Sequence, residues 1–284
     1  MQPLKTLTVT RDGGRVLRAY DTGGDGLPLL WLHGTPNTGE PPAPLFAAAA
    51  ELGLRWFGYD RPGYGGSTPV PDRSVASAAA DAAAVADALG AQRFAVFGHS
   101  GGGMHALACA ALLPSRITAA VSVSGLAPWG ADGLDWFAGM APSGQESLRA
   151  SIAGRAAREH YEATVTEGDP GFIPRDWGAL EAEWSWFGPV VNAAMANGPG
   201  PMIDDDLAAV APWGFDPATI GRPVLLVHGE ADAMVPAAHS RWLAGHIPGA
   251  ELRLYPDDGH ISVLHHGADA MSWLVASGGT GSRR

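Results

Sequence analysis

The sequence predicts an α/β fold, a mostly parallel sheet of eight strands flanked by helices and interrupted by a helical insertion. Three observations carry this. Apolar runs without alternation, such as Pro28-Leu29-Leu30-Trp31-Leu32, suit strands covered on both faces. These runs alternate with segments of helical periodicity, which implies right-handed crossovers between parallel strands. The alternation stops between positions 126 and 217 and then resumes.

In chain order, Leu4 to Thr10 and Val16 to Asp21 flank Arg11-Asp12-Gly13-Gly14-Arg15 and read as a β-hairpin. The strand Pro28 to Leu32 is halted by His33-Gly34-Thr35-Pro36. A helical segment around Leu45 to Leu52 leads to the strand Leu54 to Tyr59, which ends in Asp60-Arg61-Pro62-Gly63-Tyr64-Gly65-Gly66-Ser67. An Ala-rich helix is expected from about Val75 to Leu89, with Ser74 as N-cap. Phe94 to Phe97 is the next strand, turning at Gly98-His99-Ser100-Gly101-Gly102 into a helix. There Met104, Leu107, Ala108, Ala111 and Leu112 share one face. Ile117 to Ser124 is a further strand.

From Leu126 to Pro217 helical patches near Gln145 to Thr166 and Asp176 to Ala196 are divided by Gly- and Pro-rich turns, and no strand is evident. Asp204-Asp205-Asp206 reads as a polar surface turn, since three consecutive carboxylates cannot easily face one ion. The strand Pro223 to Val227, a helix near Ala237 to His246, the strand Glu251 to Tyr255 and a helix to about Ala276 complete the pattern. The expected organisation is a core of residues 1–125 and 218–276, a helical lid of 126–217 and a flexible tail of 277–284.

The chain has 284 residues, 46% hydrophobic and 17% charged, enough to bury a sizeable core. Its 18 Lys+Arg against 29 Asp+Glu give a net charge of −11. Nucleic acid and anionic membrane surfaces are therefore disfavoured as partners, because both recruit positive charge. The single cysteine, Cys109, excludes an internal disulfide framework and a Cys-cluster metal site. MQPLKTLTVTRDGG lacks the apolar centre of a signal peptide. The uncharged stretch between Arg93 and Arg116 contains His99, His105, Pro114 and four glycines, which argues against a membrane span. A soluble cytoplasmic protein is the expectation. Oligomeric state, including a homodimer, is not encoded in these features.

Gly98-x-Ser100-x-Gly102 lies between a buried strand and a helix. Glycines flank the serine because a sharp strand-to-helix turn leaves little room for side chains. Such a turn exposes the hydroxyl and aims the helix N-terminus at it. A serine hydroxyl is a weak nucleophile and requires a base. His260, in Asp257-Asp258-Gly259-His260 after the last strand, falls on a loop at the strands' carboxyl ends, where open sheets bind ligands. An orienting carboxylate is also required. Asp232 is the choice, just past a strand end in His228-Gly229-Glu230-Ala231-Asp232, with Glu230 as its nearest rival. His265 and His266 read as surface or packing residues, and His228 and His105 as structural ones. Gly101 N–H and an N–H from His33-Gly34-Thr35-Pro36 would form an oxyanion hole; Pro36 has no N–H, so Thr35 is the second donor.

Together His33-Gly34-Thr35-Pro36, Asp60-Arg61-Pro62-Gly63-Tyr64-Gly65-Gly66-Ser67, Gly98-His99-Ser100-Gly101-Gly102, His228-Gly229-Glu230-Ala231-Asp232 and Asp258-Gly259-His260 resemble the α/β-hydrolase fold enzymes of the lid-bearing type. The resemblance implies Ser100 as nucleophile, Asp232 as acid, His260 as base, and Thr35 and Gly101 as oxyanion donors, with no metal or cofactor. The first motif is shared with epoxide hydrolases and haloalkane dehalogenases, but those carry an aspartate in place of Ser100. Proline iminopeptidases are similar in layout and usually carry HGGPG, DQRG and GGSWG, where this chain has HGTPN, DRPG and GHSGG.

Six of the ten tryptophans fall in the insertion. Bulky residues can build the insertion's own core or wall an apolar pocket. Trp129, Trp136, Trp184 and Trp186, with His33, are the expected pocket residues. Glu181 and Glu183 read as solvated. The expected activity is hydrolysis of a small, fairly apolar ester or lactone through an acyl-enzyme. The alternatives are a carbon–carbon bond hydrolase, lyase or cofactor-independent oxygenase using the same triad, and a non-catalytic ligand receptor.

Overall fold

Strands that are apolar on both faces assemble the centre of the sheet. The computed structural model describes residues 4–166 and 168–278. Its strands are β1 (Lys5–Thr10), β2 (Val16–Asp21), β3 (Leu27–Leu32), β4 (Leu54–Tyr59), β5 (Phe94–His99), β6 (Ile117–Val123), β7 (Val224–Gly229) and β8 (Glu251–Tyr255). They form one sheet in the order β1-β2-β4-β3-β5-β6-β7-β8. β1 and β2 pair antiparallel, β2 lies antiparallel to β4, and all remaining pairings are parallel. All residues of β5 and β7 are buried, as their unbroken apolar runs require.

Strand alternation sends successive side chains into two cores. Leu30, Leu32, Val96, Ala120 and Leu226 point to one face. It is covered by α2 (Ser77–Ala88), α3 (Gly101–Leu112) and α9 (Ala238–His246), which supply Val85, Leu107 and Leu243. Leu29, Trp31, Phe97, Val121 and Leu225 point to the other. There α1 (Phe46–Glu51) and α10 (Gly267–Gly278) supply Ala49, Met271 and Leu274. Between β6 and β7 the chain forms α4 (Pro142–Ile152), α5 (Arg155–Thr164), α6 (Pro174–Glu181), α7 (Phe187–Met195) and α8 (Gly200–Val210). Among the described residues, no helix is long and apolar enough to cross a membrane.

Several local expectations are corrected. α2 begins at Ser77 after Ala76, without a side-chain cap; Ser74 instead accepts a hydrogen bond on its carbonyl from Ser77 Oγ. α3 is buried all round from Gly101 to Ala110, because it runs between the sheet and its neighbours, while Leu112 at its end is 43% exposed. Asp204-Asp205-Asp206 is not a surface turn but the middle of α8, with Asp204 and Asp205 buried. Gly200 and Pro201 open this helix, and proline in a helix's first turn sacrifices no internal hydrogen bond. Of the expected tail, Ser277 and Gly278 belong to α10, and residues 279–284 lie outside the described residues.

Candidate active site

The turn from β5 into α3 is sterically demanding. Ser100 sits at φ 56°, ψ −126°, a conformation L-residues rarely adopt. A Cβ on Gly98 would stand 2.1 Å from the Gly102 carbonyl oxygen, and one on Gly102 would stand 1.8 Å from that of Leu32. Both glycines are therefore required by close backbone approach. Ser100 N–H donates to Val123 O at 2.8 Å, tying the turn to β6.

β7 and β8 place the other two groups. Asp232 Oδ1 accepts from the N–H groups of Met234 (2.9 Å) and Val235 (2.8 Å), and its Oδ2 lies 2.7 Å from His260 Nδ1. His228 Nε2 lies 3.3 Å from the same oxygen and 2.7 Å from Val235 O. Burial pushes the Asp232 carboxyl up, but the charge of His260 and hydrogen bonds from His228 and His260 outweigh it and hold the carboxyl well below its usual range. An ionised Asp232 can only accept, so His260 Nδ1 donates to it, and whenever the imidazole is neutral its Nε2 keeps the lone pair. Ser100 and His260 both line a cavity of about 340 Å³. The structure thus brings Ser100 and His260 to one cavity and hydrogen-bonds His260 to Asp232. Glu230 is instead paired with Arg241.

The loop after β3 lies against the elbow. A Cβ on Gly101 would stand 3.8 Å from Thr35 N, so the backbone of this loop packs beside Gly101. Arg61, 1% exposed, holds this loop. Its guanidinium donates to the carbonyls of His33 and Gly34 and to Thr35 Oγ1. His33 accepts from Arg61 N–H on Nε2 at 3.1 Å, and its Nδ1 lies 2.8 Å from Gly34 O. His33 is fully buried and organises the loop; it does not line the cavity.

Sequence reasoning missed two carboxylates of the insertion. Asp205 on α8 pairs with Arg61 (2.6 Å) and Arg73 (2.7 Å) and accepts from Tyr64 Oη (2.9 Å) and Thr35 Oγ1 (2.7 Å). Burial pushes its carboxyl up, and the two guanidinium groups overcome this and hold it well below the usual range. Asp176 on α6 accepts from the N–H groups of Ile173 (3.2 Å), His260 (3.2 Å), Ile261 (2.9 Å) and Ser262 (2.8 Å), and from Ser262 Oγ (2.9 Å). One insertion carboxylate therefore holds the Thr35 loop and the other the His260 loop. Pro174 and Asp176 at a helix start were the only local signal, and it indicates a cap without revealing a distant partner.

The expected tryptophan pocket is corrected. None of Trp129, Trp136, Trp184 or Trp186 lines the 340 Å³ cavity, whose aromatic walls are Phe172 and Phe187. Trp184 and Trp186 pack against Phe187, at centroid distances of 5.8 and 5.1 Å, and Trp186 also meets Trp31. They support the wall from behind. Trp136 donates to Ala127 O and stacks edge-on with Trp129, away from this cavity. Glu183 pairs with His265, and His266 stacks on Tyr255 and meets Asp258 at 2.9 Å. Among the described residues no group of three or more His, Cys, Asp or Glu is arranged to hold a metal ion.

The fold agrees with comparisons to known proteins. The family described as alpha/beta hydrolase fold matches residues 28–266, and the chain belongs to it. Within that family the chain is a hydrolase. It is 29% identical over 268 residues to 2-hydroxymuconate semialdehyde hydrolase of Pseudomonas putida, covering 89% of this chain and 86% of that one. It is 31% identical over 261 residues to pimeloyl-[acyl-carrier protein] methyl ester esterase of Chromobacterium violaceum, covering 90% and 95%. Its fold is similar to a thermophilic esterase from Thermogutta terrifontis, with a TM-score of 0.68, 21% identity and coverage of 96% and 99%.

Proposed function

We propose that this protein is a serine hydrolase of small, fairly apolar esters or lactones, acting through an acyl-enzyme on Ser100. The observation that carries this is the Asp232–His260 hydrogen bond of 2.7 Å, with His260 opening on the cavity that Ser100 also lines. In this reading His260 Nε2 takes the Ser100 proton as Oγ attacks the carbonyl carbon. The N–H groups of Thr35 and Gly101 hold the oxyanion. As the tetrahedral intermediate collapses, the carbon–oxygen bond to the alcohol breaks and the alcohol leaves with the proton from His260. Water, deprotonated by His260, then cleaves the acyl–Oγ bond and restores the serine. The β6–β7 insertion acts as the lid, supplying the cavity's aromatic wall.

The 2-hydroxymuconate semialdehyde hydrolase relative supports a second reading, hydrolysis of a carbon–carbon bond by the same three groups. A panel of aryl esters, lactones and vinylogous diketones, assayed with the wild type and Ser100→Ala, separates the two. The ester reading predicts turnover of esters or lactones and a fall of about 10⁴-fold or more in Ser100→Ala. Turnover confined to diketones favours the second reading, and an undiminished Ser100→Ala enzyme overturns both.

A further inference from the structure

The space in front of Ser100 has two lobes. The 340 Å³ cavity and a second cavity of about 190 Å³ meet at Thr35, Ser100 and Met234. Their linings differ in a way that bears on the reaction. His260 lines only the larger lobe, together with Phe172, Phe187 and Val191. Gly101 lines only the smaller lobe, together with Met104, Leu148 and Met202 and the charged side chains of Arg158 and Asp206.

A tetrahedral centre on Ser100 Oγ has three further substituents. Its oxyanion must face the Thr35 and Gly101 N–H groups, and its leaving oxygen must reach His260 to be protonated. The group carried by that oxygen therefore extends into the lobe that His260 lines. The acyl substituent is left with the lobe that His260 does not reach. Resting on the serine-hydrolase reading above, we infer that the smaller lobe is an acyl subsite for short, uncharged acyl groups and the larger lobe takes a bulkier apolar alcohol.

Two further observations set the acyl class. At about 30 Å³ for a water-sized group, 190 Å³ holds roughly six such groups: the roughly three carbons beyond a butyryl carbonyl fit with room to spare, whereas the roughly seven beyond an octanoyl carbonyl overfill it. Arg158 is already engaged by Asp206 at 2.9 Å and Glu162 at 2.7 Å, and Asp205 by Arg61 and Arg73. A carboxylate-bearing acyl group would meet carboxylates whose cations are occupied. A methyl ester of a long acyl group presents the reverse distribution of bulk and is a poor substrate.

The test is kcat/KM for two series. One is p-nitrophenyl acetate, butyrate, octanoate and hemisuccinate; the other is phenyl, 4-tert-butylphenyl and 2-naphthyl acetate. The expected result is at least a tenfold fall from butyrate to octanoate and from butyrate to hemisuccinate, with the bulkier aryl acetates hydrolysed as well as phenyl acetate. Met202→Ala raises the octanoate-to-butyrate ratio at least fivefold and keeps the rank order of the aryl acetates. Val191→Ala changes that order and leaves the acyl ratio alone. Octanoate or hemisuccinate turned over as fast as butyrate, or a Met202→Ala effect confined to the aryl series, overturns the assignment. Turnover that persists in Ser100→Ala, or no turnover of any ester, overturns the serine-hydrolase reading itself and the subsite with it.

Discussion

Replacing Asp176 with asparagine tests whether the β6–β7 insertion is part of the catalytic apparatus. The carboxylate accepts five hydrogen bonds, three on Oδ1 from Ile261 N, Ser262 N and Ser262 Oγ, and two on Oδ2 from Ile173 N and His260 N. Asparagine keeps one accepting oxygen. With its amide nitrogen at the Oδ2 position, the Ile173 and His260 N–H groups lose their acceptor and face another donor; the flipped amide orphans the other three donors instead. An orphaned buried donor costs about 1–3 kcal/mol, so Asp176→Asn destabilises by about 4 kcal/mol, a fall in Tm of about 10 °C. The first orientation orphans fewer donors, and one of them is the backbone N–H of His260, so kcat falls at least tenfold while KM changes little, as expected when a reacting group is misplaced by a fraction of an ångström. Thermal unfolding and steady-state kinetics below the lowered Tm measure both. Stability within about 0.5 kcal/mol of wild type together with an unchanged kcat would show that Asp176 does not hold the His260 loop.

Three further outcomes are expected. Asp232→Asn removes the charge that fixes the His260 tautomer and lowers kcat by about 10⁴-fold at neutral pH; a loss under tenfold counts against Asp232 as the orienting group. Gly102→Ala places a Cβ 1.8 Å from Leu32 O and destabilises by about 3 kcal/mol or more, read from the urea midpoint, whereas a silent substitution contradicts the elbow geometry. Burial pushes the imidazoles of His99 and His105 down to about 3, reinforced by His260 and Arg61 respectively, and burial beside Arg61 lowers His33 well below its usual value. The unfolded chain then binds protons below about pH 6.5 that the folded chain refuses, so stability is complete above that pH and declines as pH falls toward 3. From pH 6.5 to 5.5 the loss is about 1 kcal/mol for each of these histidines, and urea unfolding that is unchanged across this interval contradicts it.

The sheet was legible because its physics is local. Runs such as Phe94 to Phe97 are apolar at every position because both faces are covered, and Gly98 and Gly102 are needed where the backbone approaches within contact of Gly102 and Leu32 carbonyls. Ser100, Asp232 and His260 could be named because each follows a strand end, and parallel strands bring those ends to one edge. What stayed hidden depends on contacts distant in sequence. Asp205 meets Arg61 across 144 positions, and Asp176 meets His260 across 84. A row of three aspartates looks solvated until the guanidinium groups of Arg61, Arg73 and Arg158 are folded against it. The pocket walls failed for a related reason. Tryptophan count reports bulk, but Trp184 and Trp186 spend theirs behind Phe187, which faces the cavity.

The proposed mechanism makes Ser100 a nucleophile activated by His260 and Asp232. Reaction with an alkyl fluorophosphonate, followed by intact-mass and peptide mapping, tests it directly. The expected outcome is one phosphonyl group per chain, located on Ser100, absent from Ser100→Ala and formed far more slowly in Asp232→Asn. An adduct on another residue, or an enzyme that turns over esters while Ser100 stays unmodified by the reagent, contradicts it.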